Sequence, residues 1–552
     1  MKVKPLLSKI QANTFLEDYL RASGVDDPNE YINAGFKDCD NPWDYPNMRE
    51  AVERLHEAIE SGKKIGVLAD SDCDGQCSAT ITYRFIKALN PNQAMTYFMH
   101  VGKQHGLVQS RDEDIIRQVV EAGVKLLIVP DAGSNDTEQC EALMDFGTNT
   151  LILDHHEIEK DNLYAIVVNH HLGEGLNINL SGSGVTYKFI KAYAEKYGYN
   201  IGDSYLDLVA TSLVTDMCDM TSVENYVYAK YGLTHVTNPM LKAMFKAFNR
   251  GSDTPRDISW GTGPKINAVC RGGTMEDKRI IFDAFIGEGD IDEAIAVAKR
   301  VHKEQSVTSK KMAKQVEDTI DMTHKVLVGF SDAEYKNYSG LIANKLTGSY
   351  GKPTLVLREN NPTTWSGSLR SPVDIADKIN GTGLARCQGH LSAAGIFVKK
   401  SNLEKLINWF DKQDIEPVKN VAGIIDPNHI TSELCAIFQN NMLMWGGSEG
   451  AKLVQPKFYV SFETIPSDVT VFIKRTKTVK FNFKNGMSIL KFLVKQDDVD
   501  MLTTQRCRVE AVVTLENNEW NGSVLPQGKV EEWEISPIED KVTSENDWED
   551  WF

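Results

Sequence analysis

The chain has 552 residues, 25% of them charged, with a formal net charge of −17. That length exceeds what one core sustains, so three or four domains are expected. The acidic balance excludes a protein coated with positive charge for nucleic acid, though not a local basic surface, and no apolar run approaches the ~20 residues that span a bilayer.

The nine cysteines are scattered and form no CxxC pair, which points to a reducing compartment without disulfides or structural zinc. Met1-Lys2-Val3-Lys4 is followed by an apolar run that Ser8, Lys9 and Gln11 interrupt. It does not read as a signal peptide, so a cytoplasmic location and no membrane partner are expected.

Residues 1–45 read as a short helix, Thr14 to Ala22, and a loop rich in Asp, Pro and Asn. Met48, Val52, Leu55 and Ile59 recur at the spacing of an amphipathic helix. From Ile65 strands and helices alternate. Strands are expected at Ile65 to Ala69, Lys125 to Pro130, Thr150 to Leu153 and Ala165 to Val168. Helices are expected at Gly75 to Leu89, Ile115 to Ala122, Ser183 to Tyr197 and Asp207 to Met217. This rhythm predicts an α/β domain with a mostly parallel sheet over 46–285.

A basic connecting helix follows over 286–325, with a break expected near Ser306 to Ser309. A smaller α/β domain is expected over 326–415, including the Gly-rich segment Gly389 to Gly395. Short β runs over 416–538 suggest a small OB-like barrel. Residues 539–552 form an acidic tail carrying Trp548, Trp551 and Phe552.

Three apolar strands end in acids. Ile65 to Ala69 runs into Asp70, Asp72 and Asp74, Val124 to Pro130 into Asp131, and Leu151 to Leu153 into Asp154-His155-His156. In open α/β sheets ligands bind beyond the carboxyl ends of the strands. Asp70, Asp72 and Asp74 alternate, so a strand would place them on one face. With Asp131, Asp154 and Asp216 they make six carboxylates, which like-charge repulsion would destabilise without cations. Two divalent metals resolve this, and a pair ~3.5–4 Å apart holds both a water and a phosphate. Carboxylates alone suit magnesium, and an imidazole such as His155 shifts the preference to manganese. A calcium loop is the bland reading of Asp-x-Asp-x-Asp-Gly, but its twelfth position is Ile81 rather than Glu, and a strand precedes it.

Taken together, these segments resemble the DHH phosphoesterase superfamily, and within it the RecJ branch of single-strand-specific exonucleases. Asp154-His155-His156 matches the name-giving motif. Gly182-Ser183-Gly184, Thr215-Asp216-Met217, Glu224-Asn225 and Gly263 to Ala268 also fit. Gly340 to Ala343, Gly367 to Ser371, Gly389-His390 and Ala393 to Gly395 resemble the associated DHHA1 domain. The resemblance implies metal ligands at Asp72, Asp74, Asp131, His155 and Asp216, with Asp70 as a further ligand or as a support behind one. It implies that His156 contacts the scissile phosphate or the metal-bound nucleophile, with Asp154 orienting the imidazoles; His390, beside Gly389, is expected from the loop's chemistry to reach the reacting phosphate. The resemblance implies manganese, with magnesium as the alternative, and stepwise digestion of single-stranded DNA from the 5′ end to mononucleotides. One departure stands out: the superfamily often has a His two residues before the first of these acids, and here it is Leu68.

Further binding residues are read from chemistry. Arg370 and Ser371 can fork onto phosphate, and Gly389 permits close backbone approach. Between Thr470 and Gln496 the chain has seven Lys or Arg and no acid, interleaved with phenylalanines. From that stretch Lys474, Arg475, Lys477, Phe481 and Phe483 are expected to bind single strands, against the bland reading of edge lysines over a phenylalanine core. The tail is expected to dock a replication or recombination protein. Two rivals are a hydrolase of short oligonucleotides or cyclic dinucleotides, and a catalytically silent replication scaffold.

Overall fold

The computed structural model describes residues 1–107, 114–249, 253–332, 338–415, 418–448, 451–520 and 522–538, with only the backbone of His390 and Trp520. The tail at 539–552 and the His390 side chain, both singled out above, lie outside the described residues. Two compact units form. One gathers Met1–Asn33, Val418–Trp445 and the chain from Lys452, and the other holds Ala34–Pro417 and Gly446–Ala451. Residues 1–45 are therefore divided between the units.

The short strand β1 (Val3–Pro5) belongs to the smaller unit. The larger unit is built on β2 (Ile65–Ala69), β3 (Met95–Met99), β4 (Leu126–Pro130), β5 (Asn149–Leu153) and β6 (Ala165–Val168). They form a parallel sheet in the order β3-β2-β4-β5-β6. β2 and β4 are buried along their whole length, because unbroken apolar runs suit strands covered on both faces. β3 is absent from the sequence-based assignment, and so is the helical stretch from Val223 to Ile286.

The helix after β2 begins earlier than expected, at Cys73 rather than Gly75. Asp72 is its N-cap and accepts a bond from the Gly75 amide at 3.3 Å. This corrects the expectation of three acids on one strand face. Asp70 follows the strand end, Asp72 caps the helix, and Asp74 sits in its first turn. The helix Ile291–Glu317 is continuous, with no break at Ser306 to Ser309. There Ser309 bonds its hydroxyl back to the Ser306 carbonyl at 3.2 Å without interrupting the helix.

The connecting helix leads to a second sheet of β7 (Leu327–Phe330), β8 (Thr354–Asn361), β9 (Thr364–Arg370), β10 (Ala385–His390) and β11 (Ala393–Lys399). Its order is β10-β11-β9-β8-β7, and the Gly-rich segment is the tight β10–β11 hairpin.

In the smaller unit β1 pairs in parallel with β12 (Lys419–Val421). Next to this pair lie β13 (Gly423–Ile424), β14 (Lys457–Thr464), β15 (Val469–Ile473), β16 (Lys477–Asn482), β17 (Ser488–Phe492), β18 (Cys507–Trp520) and β19 (Ser523–Pro537). They form one OB-like sheet, β13-β14-β18-β19-β17-β16-β15. Among the described residues no ladder joins its edges β13 and β15, so hydrogen bonding does not close a barrel. Phe15 packs against Phe438 and Phe458 in this unit, with centroids 5.3 and 5.6 Å away.

Candidate metal centre

The carboxyl ends of β2, β4 and β5 converge. Three trios of side chains each bring ligand atoms within 4.8 Å of one another: Asp131, His155 and His156; Asp74, His155 and Asp216; and Asp70, Asp72 and Asp131. All six expected ligands therefore share one pocket, although they span 147 positions of sequence from Asp70 to Asp216.

Asp74 is buried and held by five donors. The amides of Gly182 and Ser183 each lie 2.8 Å away, and the hydroxyls of Ser183, Ser212 and Ser78 lie at 2.6, 2.5 and 3.3 Å. Burial opposes its charge, but His155 and these hydroxyls outweigh it and lower its pKa. The Gly182 amide is available because it opens the helix Gly182–Tyr197, whose N-terminus meets the acids. A Cβ on Gly182 would stand 2.4 Å from Asp131 Oδ1, so only glycine fits.

Asp131 is in the opposite electrostatic state. It sits in the left-handed region at φ 70°, is 3% exposed, and its Oδ1 has no hydrogen-bond partner. Burial, and then the charges of Asp74, Asp72, Asp70 and Asp216, push its pKa well above the carboxylate range. Asp216, at the C-terminal cap of the helix Leu206–Thr215, is raised to about 8 by burial and by Asp74 and Asp72. A buried carboxylate that accepts no hydrogen bond and faces other acids belongs to the donor set of a cation site.

The imidazoles are oriented for the same purpose. His155 Nδ1 lies 3.2 Å from the Leu180 carbonyl, which leaves Nε2 at 3.2 Å from Asp131 Oδ1 and 3.9 Å from Asp74 Oδ2. Burial lowers its pKa, favouring the neutral ring that binds metals. His156 Nδ1 lies 2.8 Å from Asp154 Oδ1. Asp154 also accepts from the amides of Ser134 (3.1 Å), His155 (2.7 Å) and His156 (3.2 Å), so it fixes the histidines as a buried hub. Burial opposes its ionisation, yet these bonds hold its carboxyl far below the ordinary range.

Asp70 is engaged differently from the other acids. Its Oδ2 lies 2.8 Å from His105 Nδ1, and its Oδ1 accepts from the Gly106 amide at 3.1 Å and faces His100 Nε2 at 3.3 Å. Burial opposes its charge, but the two imidazoles hold its carboxyl well below the usual range. His105 is in turn raised to about 9, because Asp70 outweighs burial.

A cationic rim borders the acids. Arg271 Nη2 pairs with Asp72 at 3.1 Å, and Arg271 Nε is buried without a partner. Lys103 has its pKa lowered by burial and then by the charges of Arg271 and Arg370. Arg370 is lowered by burial and by Arg271. Three cations from three elements thus crowd together, an arrangement that an anion would relieve. The helix Thr262–Gly272 sets this corner: Gly263 abuts Thr215, Asn267 accepts from the Cys73 amide at 2.9 Å, and Arg271 reaches Asp72. Their i, i+4, i+8 spacing puts all three on one face. His100, Lys103, His105 and Arg271 were not singled out from the sequence.

The remaining expected contacts divide. Arg370 Nη1 donates to the Leu369 carbonyl at 2.7 Å and its guanidinium lies against Gly340. Ser371 Oγ accepts from the Val373 amide at 3.1 Å, a bond that does not use its own O–H. Gly389, at φ 122°, serves the hairpin turn. In the smaller unit Lys474 and Arg475 are exposed at the β15–β16 turn, while Lys477 is bonded to Gln496. Phe481 is a correction: it is 2% exposed and packs on Phe462 at 5.1 Å, so it is core and no stacking platform. Phe483 is half-buried on the same ring. Among the described residues of this unit the exposed aromatics are Phe472 and Phe492, which both lie opposite Thr478 and so share one face.

Comparison with known proteins agrees with this geometry. Residues 64–213 match the model of the DHH family, N-terminal domain. A putative prophage-derived single-strand DNA-specific exonuclease, YorK, of Bacillus subtilis is 27% identical over 94% of this chain and 96% of its own length. The single-stranded-DNA-specific exonuclease RecJ of the same organism is 25% identical over 100% of this chain and 72% of its own. Among solved structures, RecJ of Thermus thermophilus in complex with Mn2+ superposes with a TM-score of 0.74 at 20% identity, covering 98% of this chain and 79% of that one. Among the described residues no helix is long and apolar enough to cross a membrane.

Proposed function

We propose that this chain, whose residues 64–213 match the DHH family model and whose fold is that of the RecJ structures, is a metal-dependent exonuclease acting on single-stranded DNA. The observation that carries the reading is Asp131. Its buried Oδ1 accepts no hydrogen bond and stands 3.2 Å from His155 Nε2, and Asp131 lies within ligand distance of His155 and His156 on one side and of Asp70 and Asp72 on the other, a set that fits divalent cations. Asp72, Asp74, Asp131, His155 and Asp216 would hold two of them, manganese first and magnesium second. When bound, such a pair polarises the phosphate and stabilises the attacking and leaving oxygens of phosphodiester hydrolysis.

The protein's own groups supply position and charge. Asp154 locks His156 Nδ1, so the other face of that ring is presented to the scissile phosphate. Lys103, Arg271 and Arg370 grip a neighbouring phosphate and hold the terminal nucleotide in register. The Phe472–Phe492 face, with Lys474 and Arg475, stacks and neutralises bases and phosphates of the strand. Digestion proceeds from the 5′ end to mononucleotides, as the family resemblance implies, in repair, recombination or replication. Such an enzyme works in the cytoplasm on the nucleoid, and the acidic segment 539–552 docks a replication or recombination protein.

The test compares a dinucleotide with a long single strand in manganese. A long strand digested much faster is expected. Preference for the dinucleotide would replace this reading with a small phosphodiesterase, and inert wild type would leave a scaffold.

A further inference from the structure

The loop after β3 brings in an imidazole that lies outside every motif matched above. His105 Nδ1 is 2.8 Å from Asp70 Oδ2, and its ring meets His156 edge-on at 4.4 Å between centroids. Its side chain is 48% exposed, whereas Asp70 is 3% exposed. An imidazole tied through Nδ1 to a buried carboxylate presents Nε2 outward, the arrangement that orients metal-ligating histidines. Asp70 itself is spent: both oxygens already face donors, from His105 on one side and from Gly106 and His100 on the other. It is better placed to hold a ligand than to be one.

The loop is fastened so that this placement persists. Ser71 bonds the Gln104 carbonyl, the Leu107 amide donates to Asp136 Oδ2 at 2.7 Å, and Lys278 Nζ donates to the His100 carbonyl at 2.6 Å. Leu107 is buried in the same apolar cluster as Leu68 and Phe98. Leu68 therefore serves as the floor on which the loop sits, at the position where the superfamily often carries a histidine.

We propose that His105 is a ligand of the metal centre, supplying from the β3 loop the imidazole that Leu68 cannot, with Asp70 as its positioning carboxylate. The assignment rests on the metal-centre reading above. Its test is spectroscopic and needs no turnover. Full-length protein is loaded with Mn2+, bound ions are counted by electron paramagnetic resonance, and 14N couplings are read by electron spin-echo modulation. Wild type should show two imidazole nitrogens. His105→Ala and His155→Ala should each lose one. Asp70→Asn, which removes only the carboxylate behind the ligand, should weaken one ion about 10–100-fold, and His105→Ala should weaken it more. Should His105→Ala fail to fold by circular dichroism, His105→Gln carries the same readout. Unchanged nitrogen couplings in the His105 variant, at any affinity, would overturn the assignment. Wild type that binds no Mn2+ would overturn the metal-centre reading with it, whereas loss of coupling in His155→Ala alone sinks only the role of His105.

Discussion

Asp131→Asn should stabilise the metal-free protein and abolish its stabilisation by manganese. Asp131 is 3% exposed, accepts no hydrogen bond at Oδ1, where only the His155 ring stands near at 3.2 Å, and is repelled by Asp74, Asp72, Asp70 and Asp216. Leaving such a group buried costs about 1–3 kcal/mol, and more when it is charged. The larger unit has roughly 390 residues, so its melting entropy is about 0.8 kcal/mol/K and the gain in Tm is on the order of 1–4 °C. The sign follows from linkage. In the unfolded chain the carboxyl titrates near ~3.9, and in the fold it titrates well above that. Below about pH 4 both states are protonated, and the wild-type carboxyl contributes no penalty. As pH rises toward the folded value the unfolded state alone ionises freely, so wild type loses stability that the Asn variant keeps. Scanning calorimetry in EDTA at pH 4, 6 and 8 should show a Tm difference that grows with pH. With Mn2+ the order reverses, because only wild type binds the ion. A variant that melts below wild type in EDTA at pH 8, or a difference flat with pH, would refute the argument.

Four further outcomes are expected. Gly182→Ala places a Cβ 2.4 Å from Asp131 Oδ1, so it should lower stability by about 1–3 kcal/mol in thermal melts and weaken Mn2+ binding. Arg271→Ala removes a phosphate donor, so KM for single strands should rise and the log–log salt slope of binding should shrink by about 0.7, measured by anisotropy. Phe481→Ala should cost about 3–5 kcal/mol of stability as a core truncation. Phe472→Ala should instead leave the melt unchanged and weaken strand binding by about 1–3 kcal/mol.

The sheet was legible because β2, β4 and β5 are apolar runs that stop abruptly at acids, and the centre was legible because those acids lie at the same edge. β3 was not: Met95 to Met99 is short and mixes Thr and Tyr with Met, a pattern that does not declare strand over helix. Missing it concealed the following loop, and with it His100, Lys103 and His105. No local signal marks those residues, since His105 meets an acid 35 positions away. Arg271 is harder still, being 199 positions from Asp72. Lys103, Arg271 and Arg370 become a site only when three elements fold together. The error at Phe481 has a plainer cause. Val479 and Phe481 alternate with Lys480 and Asn482, so the inward face of β16 could have been separated from the basic one by its period of two. Phe472 and Phe492 required the register across two ladders, which the sequence does not state. The helix through Ser306 to Ser309 continued because serine pairs it back into the helix rather than stopping it.

The most direct measurement is digestion of a long single strand, labelled at one end or the other, by wild type and by Asp74→Ala in manganese. Wild type should release labelled mononucleotide at once from the 5′-labelled strand and only late from the 3′-labelled one, and the variant should release none. Equal digestion by the Asp74 variant, or a ladder of internal fragments, would contradict the account.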